Sequence, residues 1–184
     1  ITKTSTTFTT NSNIFGKVYF PRLSVPLSVL LSTLIKLAVQ FVLFIAVWLY
    51  FLSTSEIVHP HSELFALVPL LIIVLAGIGL GIGLIIAAIT TKYRDLTFVV
   101  GFGVQMLMFA SSVIIPLSKF PGRLKLALQF NPVCNGIEAF KYIFFGSGNF
   151  NWGGLLYAFI FMVVIDFISL IMFNKAERTF IDNV

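Results

Sequence analysis

Long apolar runs dominate this chain and restrict its fold more than any other feature. Four of them cover residues 24–52, 64–90, 96–117 and 152–173. Runs of about 18 or more apolar residues with few charges are typical of membrane-spanning helices, because about 20 residues are needed to cross the hydrocarbon core. No water reaches the backbone there, so each run must satisfy its own hydrogen bonds as a helix. The sequence predicts an all-α integral membrane protein with four spans.

The composition agrees with this class and excludes several others. Of the 184 residues, 58% are hydrophobic and 10% are charged, whereas soluble domains carry about 25% charged residues. A single cysteine, Cys134, excludes an intramolecular disulfide and a cysteine-cluster metal site. His59 and His61 lack a third ligand, so we predict no metal site. The net charge of +5 is spread too thinly for nucleic acid.

Basic residues predict the orientation of the spans. Lys17, Arg22, Lys92, Arg94, Lys175 and Arg178 fall on one side, while the 53–63 loop on the other side carries Glu56 and Glu63. Cytoplasmic loops are enriched in lysine and arginine, so both ends are predicted to be cytoplasmic. The chain begins without methionine and with a polar tract unlike a secretory signal. We therefore expect a fragment that lacks an N-terminal part.

Residues 118–149 predict two short helices on the outer side. The second has Asn131 as N-cap, Pro132 at the first helical position and Gly146 as a stop. Its length of about 14 residues gives about 21 Å, too short to cross. We predict a re-entrant hairpin, with a surface loop carrying an interfacial helix as the alternative.

The stretch "GIGLGIGL" lies inside the second span. Its spacing fits neither a dinucleotide-binding fingerprint nor a P-loop. As a helix, it places Gly77 with Gly81 and Gly79 with Gly83 in two overlapping GxxxG pairs. Small residues let helices approach closely in lipid, so we predict a helix-packing face.

Lys36 and Asp166 are charges near the middle of predicted spans. Charges there are costly and usually face a partner or a polar path. We expect the two to pair or to line such a path, with snorkelling of Lys36 as the alternative. No catalytic constellation of serine, histidine and aspartate lies within the spans, so no catalytic residue is predicted.

Four sequence blocks resemble the membrane subunits of ABC-2 type exporters, in the subgroup that moves O-antigen, capsular polysaccharide and teichoic acid. They are "NSNIFGKVYFPRLSVPLS" (11–28), "YRDL" (93–96), "SSVIIPLSKFPGRLKLALQFNPVCNGIEAFKYIFFG" (111–146) and "AERTFIDNV" (176–184). Members of this family have six spans, so the resemblance implies one transmembrane domain over 1–184 that lacks the first two.

The resemblance also implies partners. Such subunits form homodimers in the bacterial cytoplasmic membrane, surrounded by membrane lipid, and each binds a cytoplasmic ABC ATPase that holds ATP and Mg²⁺. The chain itself binds no cofactor, and the cargo is a lipid-linked glycan. Segment 11–23 would be the cytoplasmic interfacial helix that receives the ATPase stroke, and 174–184 a cytoplasmic tail.

Site residues follow from the same resemblance. The coupling residues would be Asn13, Lys17, Tyr19, Phe20, Pro21, Arg22, Tyr93, Arg94 and Asp95. The substrate path and outer gate would include Pro116, Asn131, Pro132, Glu138, Phe140, Tyr142, Phe144 and Phe145. The aromatic residues alternatively form an interfacial belt with Trp152, and we expect Glu138 to pair with Lys141 or Arg123.

Three other functions remain compatible with the sequence. An ABC-2 permease for drugs or another lipid would have nearly the same physics. A membrane glycan or lipid transferase would need clustered acidic residues or histidines, which Asp95 beside Arg94 does not provide. A non-transporting scaffold would fit the GxxxG face alone.

Overall fold

A computed structural model describes residues 1–5, 23–54, 59–90, 96–114 and 117–181. Every regular element in these ranges is a helix. The α-helices are α1 (Thr2–Ser5), α2 (Ser24–Thr54), α3 (Val68–Thr90), α4 (Leu96–Phe109), α5 (Gly122–Gln129), α6 (Pro132–Phe145) and α7 (Trp152–Ile181). A 3₁₀ helix, Ser62–Leu67, leads into α3, and a second one, Leu117–Lys119, precedes α5. The predicted all-helical class is confirmed for the described residues.

Three stretches of the described ranges are long and apolar enough to cross a membrane: Ser24–Thr54, Ser62–Thr90 and Trp152–Ala176. They match three of the four predicted spans to within a few residues. The fourth prediction, 96–117, corresponds to α4, which contains only 14 residues. At about 1.5 Å per residue it is about 21 Å long, which is shorter than the hydrocarbon core. The count of four spans therefore stays a prediction.

The early end of α4 has a physical cause in the turn that follows. Ser111 and Ser112 are buried, and Ser112 adopts a left-handed backbone with φ 54°. A non-glycine residue in that region ends the helix at a cost of about 1–2 kcal/mol. Sequence periodicity does not reveal this turn, because the residues around it are as apolar as those of the helix.

The chain divides into two compact units. The first contains Ile1–Ser32, Ala76–Leu107 and Phe161–Val184, and the second contains Thr33–Leu75 and Met108–Ile160. In the first unit, Leu84, Ala87 and Phe173 form the buried centre.

The second unit has a larger core, which contains both aliphatic and aromatic residues. Its buried members are Trp48, Val68, Leu71, Ala139, Ile143, Phe144 and Leu155. The Trp48 indole N–H donates a hydrogen bond of 2.8 Å to the Phe144 carbonyl. Because this pair joins residues 96 positions apart, it fastens α2 to the end of α6.

Candidate functional site

Helices α5 and α6 form a hairpin whose limits follow from its local sequence. Asn131 caps α6, because its Oδ1 accepts a hydrogen bond of 3.0 Å from the Val133 N–H. Pro132 occupies the first turn, and Gly146 ends the helix at φ 66°. Only glycine adopts that left-handed conformation without steric cost, and a Cβ there would lie 2.5 Å from the His59 carbonyl oxygen. These caps confirm the predicted helix limits.

Side-chain amides hold the hairpin in place. The second function of Asn131 is to donate a 3.0 Å hydrogen bond from Nδ2 to the carbonyl of Ala110, just after α4. Asn135 Nδ2 donates to the Gln129 carbonyl at 3.0 Å, which joins α6 to the end of α5. Each bond satisfies a carbonyl that has lost its helical partner at a C-terminus. The hairpin is therefore a built element of the second unit and not a loose loop.

Glu138 is a buried carboxylate, with 4% of its surface exposed. Its Oε1 accepts a hydrogen bond of 2.7 Å from Ser112 Oγ and lies 3.7 Å from Lys141 Nζ. Its Oε2 accepts a bond of 3.2 Å from the Asn149 backbone N–H. A buried charge is tolerated only when it is paired and hydrogen-bonded, and both oxygens meet that condition. The expected pairing of Glu138 with Lys141 is present.

Backbone groups of two neighbouring segments contribute to the surroundings of Glu138. Lys141 Nζ donates a hydrogen bond to the Ser112 carbonyl, so Ser112 is held through both its hydroxyl and its backbone. Gly148 has φ 148°, and a Cβ there would lie 2.7 Å from the Glu138 carbonyl oxygen. The close approach of this loop brings the Asn149 N–H to the carboxylate. We call Ser112, Glu138, Lys141 and Asn149 the Glu138 network.

The aromatic side chains of α6 are used largely for packing. Phe144 is 3% exposed and contacts Phe44 edge-to-face, with ring centroids 5.1 Å apart. The Phe140 ring centroid lies 4.6 Å from that of Phe144. Phe145 keeps 38% of its surface exposed. The substrate-path role predicted for these rings stays a prediction, but the face of Phe144 is covered in this arrangement.

Tyr142 and its neighbours form a separate stack. Its ring lies 4.1 Å from that of His61 and 5.6 Å from that of Phe150, and Phe150 contacts Trp152 edge-to-face. The His61 backbone N–H donates to the Ile143 carbonyl at 3.0 Å. The "HPH" stretch thus packs against α6, which is a structural use of His61.

Two cavities of the second unit meet at the Glu138 network. The larger has a volume of about 720 Å³ and the smaller about 300 Å³. Leu117, Glu138 and Asn149 line both cavities. Carboxamides of Gln129, Asn135 and Asn151 line the smaller one, while Lys125 and Lys141 line the larger one. Both volumes lie in the range of ligand pockets, which is about 300–1,000 Å³.

Two glycines of the α3 stripe, Gly77 and Gly81, lie against α7 in the first unit. A Cβ on Gly77 would lie 2.5 Å from Met162 Sδ, and one on Gly81 would lie 2.6 Å from Asp166 Oδ1. The Asp166 carboxylate therefore occupies a notch that glycine opens. Within the described residues, Asp166 Oδ1 is buried and has no hydrogen-bond partner.

The other two glycines of the stripe face α1. A Cβ on Gly83 would lie 2.7 Å from Thr4 Cβ, whereas one on Gly79 would meet only Ile1 at 4.0 Å. Close packing thus involves Gly77, Gly81 and Gly83, and Gly79 has more room. Lys36 is exposed, and its pairing with Asp166 stays a prediction.

Several predicted site residues lie outside the described residues. They are the coupling residues Asn13, Lys17, Tyr19, Phe20, Pro21, Arg22, Tyr93, Arg94 and Asp95, together with Pro116 of the predicted outer gate. Their roles stay predictions.

Sequence reasoning does not identify four polar residues of the second unit as site residues: Ser112, Lys125, Gln129 and Asn149. All four lie in or beside the segment 111–146 that resembles the family's outer block. A usable signal is the clustering of amides and hydroxyls within an otherwise apolar chain. This clustering identifies the segment, but it does not predict which of its polar residues contact one another.

These features define a class of protein: a multi-pass helical membrane protein with a polar network inside a short hairpin. The sequence profile of the ABC-2 type transporter family matches residues 1–145. The chain therefore belongs to the ABC-2 type transporter family. Members of this family are membrane subunits of transporters and are not themselves catalytic.

Two similar curated proteins come from Klebsiella pneumoniae, and both are O-antigen export system permease proteins RfbA. One is 25% identical over 174 residues, and the other is 23% identical over 174 residues. Each match covers 94% of this chain and 64% of the relative. The chain thus spans slightly less than two thirds of the length of these relatives.

Proposed function

We propose that this chain is the permease part of an ATP-driven exporter that moves a lipid-linked polysaccharide across the bacterial cytoplasmic membrane. One observation carries the proposal: the family match runs continuously from the predicted coupling segment through α6. The similarity to two O-antigen export permeases favours a glycan over a drug. The permease works as a homodimer, and the partner ATPase holds ATP and Mg²⁺.

The hairpin of α5 and α6 supports an outer gate. Three of its polar contacts with residues outside the two helices are made by Glu138 and Asn131. Two cavities beside the network leave room for the hairpin to shift.

An export assay tests the proposal. The intact protein is expressed with its ATPase in a strain whose own O-antigen permease is deleted. We expect surface glycan, measured by antibody on intact cells and normalised to total glycan in lysates, to be restored. Arg22→Glu should reduce both surface glycan and co-purification of the ATPase at least about tenfold, because a charge reversal at a docking surface costs several kcal/mol.

Lys175→Glu is the matched control, since it reverses a basic charge on the same predicted side outside the coupling segments. It should leave both readouts within about twofold of wild type. Normal assembly with no surface glycan would reject the glycan as cargo, and a complex unaffected by Arg22→Glu would reject the docking assignment.

The orientation of the hairpin is tested by cysteine labelling. Cys134 is fully buried, and burial raises the pKa of its thiol, so little reactive thiolate forms at neutral pH. We expect the native protein to resist a membrane-impermeant maleimide. Arg123→Cys, at an exposed position on α5, should label in intact spheroplasts. Labelling only after the membrane is permeabilised would place the hairpin in the cytoplasm.

A further inference from the structure

The lining of the larger cavity beside the Glu138 network contains both basic and apolar residues. Lys125 and Lys141 are the basic ones. Val113, Ile114 and Phe145 contribute apolar surface, and these three are 46%, 54% and 38% exposed. A pocket lined by both basic and apolar residues fits a molecule that carries both an anionic group and a hydrocarbon portion.

The charges of the cavity do not balance internally. Glu138 is its carboxylate, and both oxygens are occupied by Ser112, Lys141 and the Asn149 N–H. Lys141 is likewise occupied by Glu138 and the Ser112 carbonyl. Lys125 Nζ makes no ion pair or hydrogen bond within the part of the chain that the structure describes. One positive charge therefore remains at the cavity wall.

We propose that this cavity binds the phosphate group of a membrane amphiphile, with Lys125 as the principal ligand. An ammonium donates strong, charge-assisted hydrogen bonds to phosphate, and Lys125 is only partly exposed, which limits screening by water. The hydrocarbon portion lies against Val113, Ile114 and Phe145. The volume of about 720 Å³ accommodates a headgroup and the first part of a chain, not a polymer.

Two sources provide this chemistry: a polyprenyl phosphate that carries a glycan, and a phospholipid headgroup. The site goes beyond the proposed function, because a phospholipid would occupy it in a protein with any cargo. The adjoining smaller cavity, with its carboxamides, would meet hydroxyl groups next to the phosphate.

Binding of a fluorescent polyprenyl phosphate to the intact protein in detergent tests the site. We expect Lys125→Gln to weaken binding about tenfold, the loss typical of one hydrogen bond to a charged group. Lys125→Arg, which keeps the charge, should bind within about threefold of wild type. Lys119→Gln is the matched control, because Lys119 is exposed and does not line the cavity. Each variant is first shown to elute as wild type on size exclusion.

Competition distinguishes the sources. Displacement by unlabelled polyprenyl phosphate but not by phosphatidylglycerol supports the lipid carrier, and equal displacement by both supports a general phospholipid site. Displacement by millimolar inorganic phosphate to the same extent would overturn the requirement for an amphiphile. Equal weakening by Lys119→Gln, or none by Lys125→Gln, would overturn the site. Because export is not read here, failure of this test leaves the proposed function standing.

Discussion

Replacing Glu138 with leucine should destabilise the protein by about 3 kcal/mol, the lower end of the cost of removing one partner from a buried ion pair. The substitution removes the acceptor of the Ser112 hydroxyl and of the Asn149 N–H, and it leaves the Lys141 ammonium without its counter-charge. The lower end applies because the Lys141 side chain is 22% exposed. Thermal unfolding of the intact protein in detergent, followed by tryptophan fluorescence, measures the loss.

Two further variants test whether the Glu138–Lys141 ion pair is the source of the stability loss. Glu138→Leu combined with Lys141→Met should recover part of the loss, because the uncompensated charge is removed with its partner. Glu63→Leu removes an exposed carboxylate of the 3₁₀ helix before α3 and should change stability by no more than about 0.5 kcal/mol. A double variant less stable than Glu138→Leu would show that the ion pair is not the source of the effect.

Filling the notch at Gly81 should destabilise the protein by a similar amount. A Cβ there would lie 2.6 Å from Asp166 Oδ1 and 2.8 Å from Ile165 Cγ2. Gly81→Leu extends the side chain further, so α3 and α7 must separate or the carboxylate must move. We expect a loss of about 3 kcal/mol, the upper end of the usual range for overpacking. The same thermal assay and the yield of folded protein in membranes report it.

The chain offers matched controls within another apolar helix. A Cβ added to Gly101 or Gly103 of α4 would meet no atom of the described residues within 4 Å, so leucine there should be tolerated. Gly81→Ala should be milder than leucine, and Asp166→Ala should relieve part of its cost by emptying the notch. Equal losses at Gly81 and Gly101 would mean that lost helix flexibility, not contact with α7, explains the effect.

The hairpin shows how much of the fold local sequence predicts. The order of residues alone predicts Asn131 as cap, Pro132 in the first turn and Gly146 as stop, and each is found there. Capping depends on contacts within a few residues, so the local sequence is sufficient to predict it. The second bond of Asn131, to Ala110, reaches 21 residues away and leaves no such signal.

The limit of α4 illustrates the opposite case. Apolar character continues past Phe109, so hydropathy predicts a span that reaches residue 117. The helix stops because Ser112 turns back toward Glu138, 26 residues further along the chain. Hydropathy measures transfer into an apolar environment and carries no information about which distant group a hydroxyl will meet.

The amino-acid sequence alone predicts that this protein is helical and embedded in a membrane, where its main spans lie, and where the second hairpin helix begins and ends. Each of these follows from the cost of burying unpaired backbone in lipid or from contacts between near neighbours. The contacts of Glu138 with Ser112, Lys141 and Asn149, and the position of Asp166 in the notch at Gly81, depend on how the helices pack together. Polar groups in an apolar interior need hydrogen-bond partners, and the packing of separate helices determines which groups are close enough to be those partners.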